Sequence, residues 1–300
     1  MEKLIPWVRL GSAGRGSEYH WLRGLGESLA GLVYHGDWPA KLWSLYPGAC
    51  RVRCVRHELA ILPPSAASTR LGFISDIHIG PTTPPQLLDA AFALLAQQAP
   101  DILLLGGDYV FLDATRAKAE RLAALVRSVP ARRKLAVLGN HDLWTEHPLL
   151  ESALRDAGVE VLENQSTQLG DGIALVGLDE PWTGALDATS ALRDVGAPAA
   201  LIVLCHSPDG LPDALRAVEA LPGRPRGLYV CGHTHGGQIA APWGPLLVPG
   251  KVGRKYPYGL HELPPLTLYV SRGVGATELP VRTWAPPEVA LFELSARRDP

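Results

Sequence analysis

Five apolar runs in this chain are each followed at once by a side chain that can bind a cation, and this regularity limits the available folds more than any other feature. LGFIS (71–75) leads into Asp76-Ile77-His78, and ILLLG (102–106) into Gly107-Asp108-Tyr109. KLAVL (134–138) leads into Gly139-Asn140-His141-Asp142, LIVLC (201–205) into His206, and GLYVC (227–231) into Gly232-His233-Thr234-His235. Three further runs, IALVGL (173–178), TLYVS (267–271) and VALFE (289–293), share their length and β-branched content. Such runs suit strands buried on both faces. Helical patterns over 85–99, 114–129 and 149–157 separate the early ones; Pro84 and Pro85 suit a helix start, and Gly158 a stop. The alternation predicts an α/β layered domain with helices covering the sheet faces. In such sheets ligands gather beyond the carboxyl ends of the strands, where these polar residues fall.

Aspartate, asparagine and histidine make a mixed oxygen and nitrogen ligand set suited to manganese, iron or zinc. D-x-H on an extended segment sends two side chains to one side, so both reach one ion. The H-x-H of residues 233–235 does the same on a glycine-flanked turn, and glycines before Asp108 and Asn140 let the backbone pass close by. Each motif alone is an ordinary turn or helix cap. Together, ligand-type residues after five successive strands are not explained by unrelated turns, and burying them unpaired would be costly. A metal cluster is the expectation.

The series D-x-H, G-D-Y, G-N-H-D, strand-terminal H and G-H-x-H resembles the calcineurin-like metallophosphoesterase superfamily over about residues 70–295. The resemblance implies a four-layer αββα sandwich of two mixed sheets flanked by helices. It also implies two divalent cations, with Asp76, His78 and His235 on one, Asn140, His206 and His233 on the other, and Asp108 bridging both. His141 matches the histidine beside the scissile phosphate, expected to act as general acid or to stabilise the transition state, with Asp142 next to it as a candidate to orient it. Two such ions share one water, lower its pKa and direct it in line at phosphorus. The expected reaction is hydrolysis of a phosphodiester or pyrophosphate. A phosphomonoesterase or nuclease with the same core is the alternative, and a non-catalytic module of this fold a remote third, since every expected position is filled.

The second block departs from the protein Ser/Thr phosphatase branch, because Phe111 and Leu112 follow Val110 where that branch has aspartate and arginine. A protein phosphatase is therefore disfavoured. His206-Ser207-Pro208-Asp209 and residues 232–239 and 273–287 resemble a bacterial branch that includes membrane-associated phosphodiesterases, some acting on UDP-diacylglucosamine. Many of those carry an N-terminal apolar anchor; none is read here, which weakens transfer of that substrate. Residues 241–263 directly follow the H-x-H ligands. There Lys251, Arg254 and Lys255 are candidates to hold a second phosphate or head group, and Trp243, Tyr256 and Tyr258 to line a pocket. Trp144, His147 and Trp182 are weaker candidates by position, while His20, His35, His57 and His261 show no ligand spacing and read as structural.

With 47% hydrophobic residues the chain can bury a sizeable core. A formal charge of −2 describes no polyanion-binding surface, so the expected partner is a small or lipid-linked phosphoester rather than nucleic acid. Residues 1–69 read as an N-terminal extension, helix plus strand (52–59), packed on a domain at 70–296. Within it, Trp21, Leu22, Leu25, Leu29, Leu32 and Val33 stripe one face of a helix over 18–35, expected to pack on its own domain because its polar face has little Lys or Arg. No run reaches the length of a spanning helix, and four scattered cysteines suggest reduced, structural thiols. A cytoplasmic protein is expected, with contact at the inner face of a membrane left open.

Overall fold

In a computed structural model, residues 29–297 are described apart from 35, 37 and 47. Two six-stranded sheets stack face to face. The strands, in chain order, are Arg53–Leu62 (β1), Thr69–Ile74 (β2), Ile102–Leu105 (β3), Arg133–Ala136 (β4), Glu160–Val161 (β5), Gln165–Gly170 (β6) and Ile173–Gly177 (β7). Ala200–Leu204 (β8), Arg226–Cys231 (β9), Ala240–Ala241 (β10), Gly244–Pro245 (β11), Gly259–Leu263 (β12), Leu266–Val270 (β13) and Glu288–Ala296 (β14) complete the set. The first sheet runs β1-β14-β2-β3-β4-β5 and the second β12-β13-β9-β8-β7-β6, while β10 and β11 form a separate hairpin. Within the first, β2 to β5 are parallel and β14 is antiparallel to β2; within the second, β13, β9, β8 and β7 are parallel between two antiparallel edges.

Both sheets carry helices on their outer faces, so the molecule is an αββα sandwich. Side-chain alternation produces this directly. In β3, Leu103 and Leu105 join the helices Pro85–Gln98 and Arg116–Arg127, whereas Ile102 and Leu104 face the second sheet. In β8, Ala200, Ile202 and Leu204 face the first sheet, and Leu201 and Val203 pack on helices Ala188–Leu192 and Leu211–Glu219. Burial on both sides is why these strands read as continuous apolar runs rather than alternating ones. The inter-sheet layer is completed by Phe73, Phe292 and Val230, and each such side chain contributes roughly 1.5–3 kcal/mol when fully buried.

The anticipated strand at 52–59 is β1, paired in parallel with β14 along its length. Of the helix expected at 18–35, residues 18–28 and 35 lie outside the described residues, and 29–33 are helical. Its expected packing is not seen in the described part, where Leu29, Leu32 and Val33 are exposed. Residues 241–263 contain the hairpin strand β11, the helix Lys251–Lys255 and β12. No helix among the described residues is long and apolar enough to cross a membrane, and the four cysteines are free thiols.

Candidate metal centre

The carboxyl ends of β2, β3 and β4 in one sheet meet those of β8 and β9 in the other. Asp76, His78, Asp108, Asn140, His141, Asp142, His206, His233 and His235 are all brought there, and all are buried. Donor atoms of Asp76, His78, Asp108 and His235 lie within 4.8 Å of one another, as do those of Asp108, His206 and His233. Asp108 belongs to both sets. Asn140 adjoins the second, its Oδ1 lying 3.1 Å from His206 Nε2.

The backbone route differs from the extended D-x-H expected from the sequence. Asp76 and His78 have φ of 53° and 47°, Asp108 56°, His233 70° and His235 54°. Left-handed backbone is uncommon outside glycine, although Asp and His tolerate it better than most, and it clusters where function over-determines the conformation. Here it turns successive side chains inward. Close approach of β3 and β4 is equally specific: a Cβ on Gly107 would lie 2.5 Å from Gly139 N, and one on Gly139 would lie 2.2 Å from Asp108 Oδ1.

Hydrogen bonds fix the donors from behind. His78 Nδ1 lies 3.3 Å from Val110 O, and His206 Nδ1 2.8 Å from Gly106 O. A proton on each Nδ1 leaves each Nε2 lone pair facing the cluster. His78 Nε2 and His235 Nε2 are 3.0 Å apart. Burial pushes His78 down to about 4 and His235 well below its ordinary range, so both rings are neutral and a single proton can bridge the two Nε2 atoms, while His235 Nδ1 is buried without a hydrogen-bond partner. Neutral imidazole nitrogens packed beside the Asp76 and Asp108 carboxylates are the mixed donor set a divalent cation takes, so the residues fit a metal ion. Burial disfavours charge on His206, but Asp108 and Asp76 outweigh it and raise its pKa to about 10. A proton and a cation compete for that Nε2, so cation binding there releases a proton. Burial alone would raise the Asp108 carboxyl, yet His206 and His141 hold it well below the usual carboxylate range. Asp76 is raised to about 6 by burial, opposed by His206; it accepts from Ser75 Oγ (2.6 Å) and His233 N (2.9 Å).

His141 is held beside the cluster by its backbone N–H, which donates to Asp108 Oδ1 (2.8 Å). Its ring lies 4.9 Å from those of His78 and Trp144. The expectation that Asp142 orients the His141 ring takes a different form. Its Oδ2 accepts from the backbone N–H of Asp108 (2.8 Å) and Gly139 (2.9 Å), and its Oδ1 from Tyr109 (2.8 Å) and Val110 (3.3 Å). Asp142 therefore ties the Asp108 turn to the 139–143 turn through the main chain. Burial and Asp108 push its carboxyl up to about 7, against the pull of those amides.

Lys251, Arg254 and Lys255 lie exposed on a short helix that backs onto the H-x-H turn. Asp209 Oδ1 accepts from Val252 N (2.7 Å), and Thr234 Oγ1 donates to Pro257 O (2.8 Å). Tyr258 stacks under Arg272 rather than facing an open pocket, and Trp243 is exposed. Trp182, weak by position, sits over His233 with ring centroids 4.4 Å apart, its Nε1 donating to Asp209 Oδ2 (2.9 Å). His147 pairs with Glu151 on its own helix, His57 stacks on Phe292, and His261 bonds Tyr258 O.

Two site-supporting residues went unread in the sequence. Arg282 is buried and donates to the carbonyls of His235 (2.7 Å), Gly275 (2.6 Å), Ala285 (2.8 Å) and Arg272. Glu180 follows β7 at the same sheet edge, fully buried. Its Oε2 accepts from Trp182 N, Thr183 N and Thr183 Oγ1, and Oε1 has no partner. The only available signal was position: a carboxylate after a strand-like run, without the second motif residue that flags a ligand.

Residues 69–237 match the family model of the calcineurin-like phosphoesterases. The chain is 34% identical over 250 residues to the phosphodiesterase YaeI of Escherichia coli, covering 80% of this chain and 87% of that one. It is 30% identical to the uncharacterized metallophosphoesterase YkuE of Bacillus subtilis, over 79% of this chain and 82% of that one. The UDP-2,3-diacylglucosamine pyrophosphatase LpxG of Chlamydia trachomatis is 28% identical, over 74% of this chain and 82% of its own length.

Proposed function

The chain belongs to the calcineurin-like phosphoesterase family, and from that premise we propose that it hydrolyses a phosphodiester or pyrophosphate bond in a small or lipid-linked substrate. The observation that supports this most directly is the Asp108 carboxylate shared by two buried donor sets. Asp76, His78 and His235 would hold one divalent cation, Asn140, His206 and His233 the second, with Asp108 between them. Manganese, iron and zinc suit this oxygen and nitrogen set. When bound, the two ions supply an acidified water and neutralise charge developing on phosphate oxygens.

The remaining work falls to the chain's own groups. His141, fixed through Asp108, gives a proton to the leaving oxygen, a role worth typically about 10²–10⁴-fold. Asp142 acts as a positioning residue that keeps the Asp108 and His141 turns in register. Lys251, Arg254 and Lys255 hold a second phosphate or head group, and Trp182 forms the wall beside His233. The names of YaeI and LpxG, a phosphodiesterase and a nucleotide-sugar pyrophosphatase, favour two-sided phosphate substrates over monoesters.

The test is hydrolysis of bis-p-nitrophenyl phosphate and p-nitrophenyl phosphate by metal-stripped protein, with Mn²⁺, Fe²⁺, Zn²⁺ or Mg²⁺ restored singly and His141→Ala as control. Metal-dependent diester cleavage, lost in the variant while metal still binds, is expected. Preference for the monoester would move the reading to a phosphomonoesterase, and a His141→Ala enzyme of undiminished kcat would remove the proton-donor role.

A further inference from the structure

Among the described residues, fifteen large hydrophobic side chains are exposed, and thirteen of them fall within 29–46 and 243–284. Single exposed hydrophobics are normal, but a contiguous set marks an interaction surface. The set is joined by hydrogen bonds. Ala240 N donates to Thr283 O (2.9 Å) and Thr283 N to Gln238 O (3.0 Å), so the β10–β11 hairpin and the 277–285 loop move as one piece. Gln238 Nε2 reaches Thr277 O and Leu279 O, and Tyr34 Oη donates to Glu278 O, which brings the N-terminal segment to the same loop. On this piece Trp243, Leu246, Leu247, Leu279, Val281 and Trp284 are exposed, Trp243 by 84% and Leu247 by 80%.

The helix Trp38–Ser44 extends the pattern. Its inner face buries Ala40 and Trp43, while its outer face presents Trp38 and Leu42 beside Lys41 and Ser44. Exposed Trp and Leu interleaved with Lys on one helix face make an amphipathic surface of the kind that sits at a polar–apolar boundary. Cationic groups lie beside this rim: residues 240–256 contain Lys251, Arg254 and Lys255 and no carboxylate, against the single exposed acid Glu278 in the 277–285 loop. Tryptophan and leucine at the rim, with lysine and arginine at the flank, is the composition of an element that seats at the head-group level of an anionic membrane. The rim is also coupled to the centre, because Arg282 within the loop holds the carbonyl of His235 (2.7 Å).

We propose that this rim, formed by the 240–247 hairpin, the 277–285 loop and the exposed side chains of residues 29–34 and 38–46, docks on the surface of an anionic phospholipid bilayer and presents the metal centre to head-group phosphoesters in place. The inference rests on the phosphodiesterase reading for its purpose but not for its test. The full chain would be floated with vesicles of phosphatidylcholine alone and with phosphatidylglycerol added, beside the triple variant Trp243→Ser, Leu246→Ser, Leu247→Ser. The wild type is expected to float with the anionic vesicles. The variant is expected to lose about tenfold or more in partitioning, since even a fraction of three buried apolar side chains is worth that factor. Metal-dependent hydrolysis of bis-p-nitrophenyl phosphate should be the same in both. Wild-type protein that stays in the aqueous fraction, or a variant that floats equally well, overturns the proposal. So does a wild-type dimer in sedimentation without vesicles that the variant abolishes, since the rim would then be a contact between copies. Vesicle binding without any diester hydrolysis would sink the functional reading and leave the docking surface standing.

Discussion

Replacing Asp142 by asparagine keeps the shape of a fully buried side chain and removes one acceptor. In whichever orientation the amide settles, one of its ends is an NH₂ group facing N–H donors. Keeping the carbonyl toward Asp108 N and Gly139 N turns the NH₂ toward Tyr109 N (2.8 Å) and Val110 N (3.3 Å). One good bond to a charged acceptor is lost at about 1.5–3 kcal/mol, and a buried donor left unsatisfied adds about 1–3 kcal/mol. The sum, about 4 kcal/mol, is a large part of a typical total stability of about 5–15 kcal/mol. For a chain of 300 residues it lowers the thermal midpoint by roughly 6 °C, from an unfolding entropy of about 2.1 cal/mol/K per residue. The comparison is a thermal melt of metal-loaded wild type and Asp142→Asn at about pH 8; burial and the Asp108 charge raise this carboxyl to about 7, and bound cations offset that charge. Metal stoichiometry should fall with it, because Asp108 hangs on the same turn. Asp142→Ala, which leaves room for a water, serves as a second variant. An Asp142→Asn protein that melts within a degree or two of wild type, with full metal content, would refute the main-chain role.

Other consequences follow from the same contacts. Burial raises Glu180 from 4.5 to about 7. The folded state therefore binds more protons than the unfolded state between those values, and stability contributed by neutral Glu180 is lost as pH rises through about 7. Glu180→Gln should match wild type near pH 5 and exceed it by up to about 3 kcal/mol near pH 8; a difference that does not vary with pH in denaturant titrations would refute this. Arg282→Lys exchanges a fork that serves four carbonyls for an ammonium with three donors, and should cost about 2–4 kcal/mol while loosening metal bound through His235. Equilibrium dialysis and a melt read both effects, and unchanged values in both would remove the link. Gly139→Ala would press a methyl group on Asp108 Oδ1, at 2.2 Å in the present backbone. Metal affinity should fall about 10–100-fold, the usual scale for disturbing the groups that set a ligand, and calorimetric titration with Mn²⁺ measures it.

How much of this was legible depended on where each residue finds its partners. Strands β3, β8 and β9 announced themselves because apolar neighbours on both faces leave no polar position within them. Edge strands did not: β6 reads Gln165 to Gly170 with exposed and half-buried positions, and β12 contains His261 and Glu262. The helix Lys251–Lys255 has a glycine at its centre and gives no helical period; it is held by Asp209 from another segment. The ligand residues were visible because their side chains carry the chemistry themselves. Glu180 and Arg282 were missed, and the bonds of Asp142 were not legible, because their partners are main-chain groups of distant turns, and an amide or a carbonyl has no letter in a sequence.

The same distinction explains why the centre needs two sheets. Five ligand-type residues stand in left-handed backbone, which costs of order 1–3 kcal/mol each unless the surroundings impose it. What imposes it here crosses the seam between the layers. His233 N, after β9, donates to Asp76 after β2, and His206 Nδ1, after β8, is held by Gly106 O after β3. Asp142 binds the β3 and β4 turns to each other, and Arg282 clamps the His235 turn to the strand connection between β13 and β14. Each strained donor is thus fixed by a bond from an element other than its own. A single sheet could align the strand ends, but only the facing sheet supplies partners from the opposite side. Because bonds within the chain hold these donors, little cation-binding energy need go to arranging them.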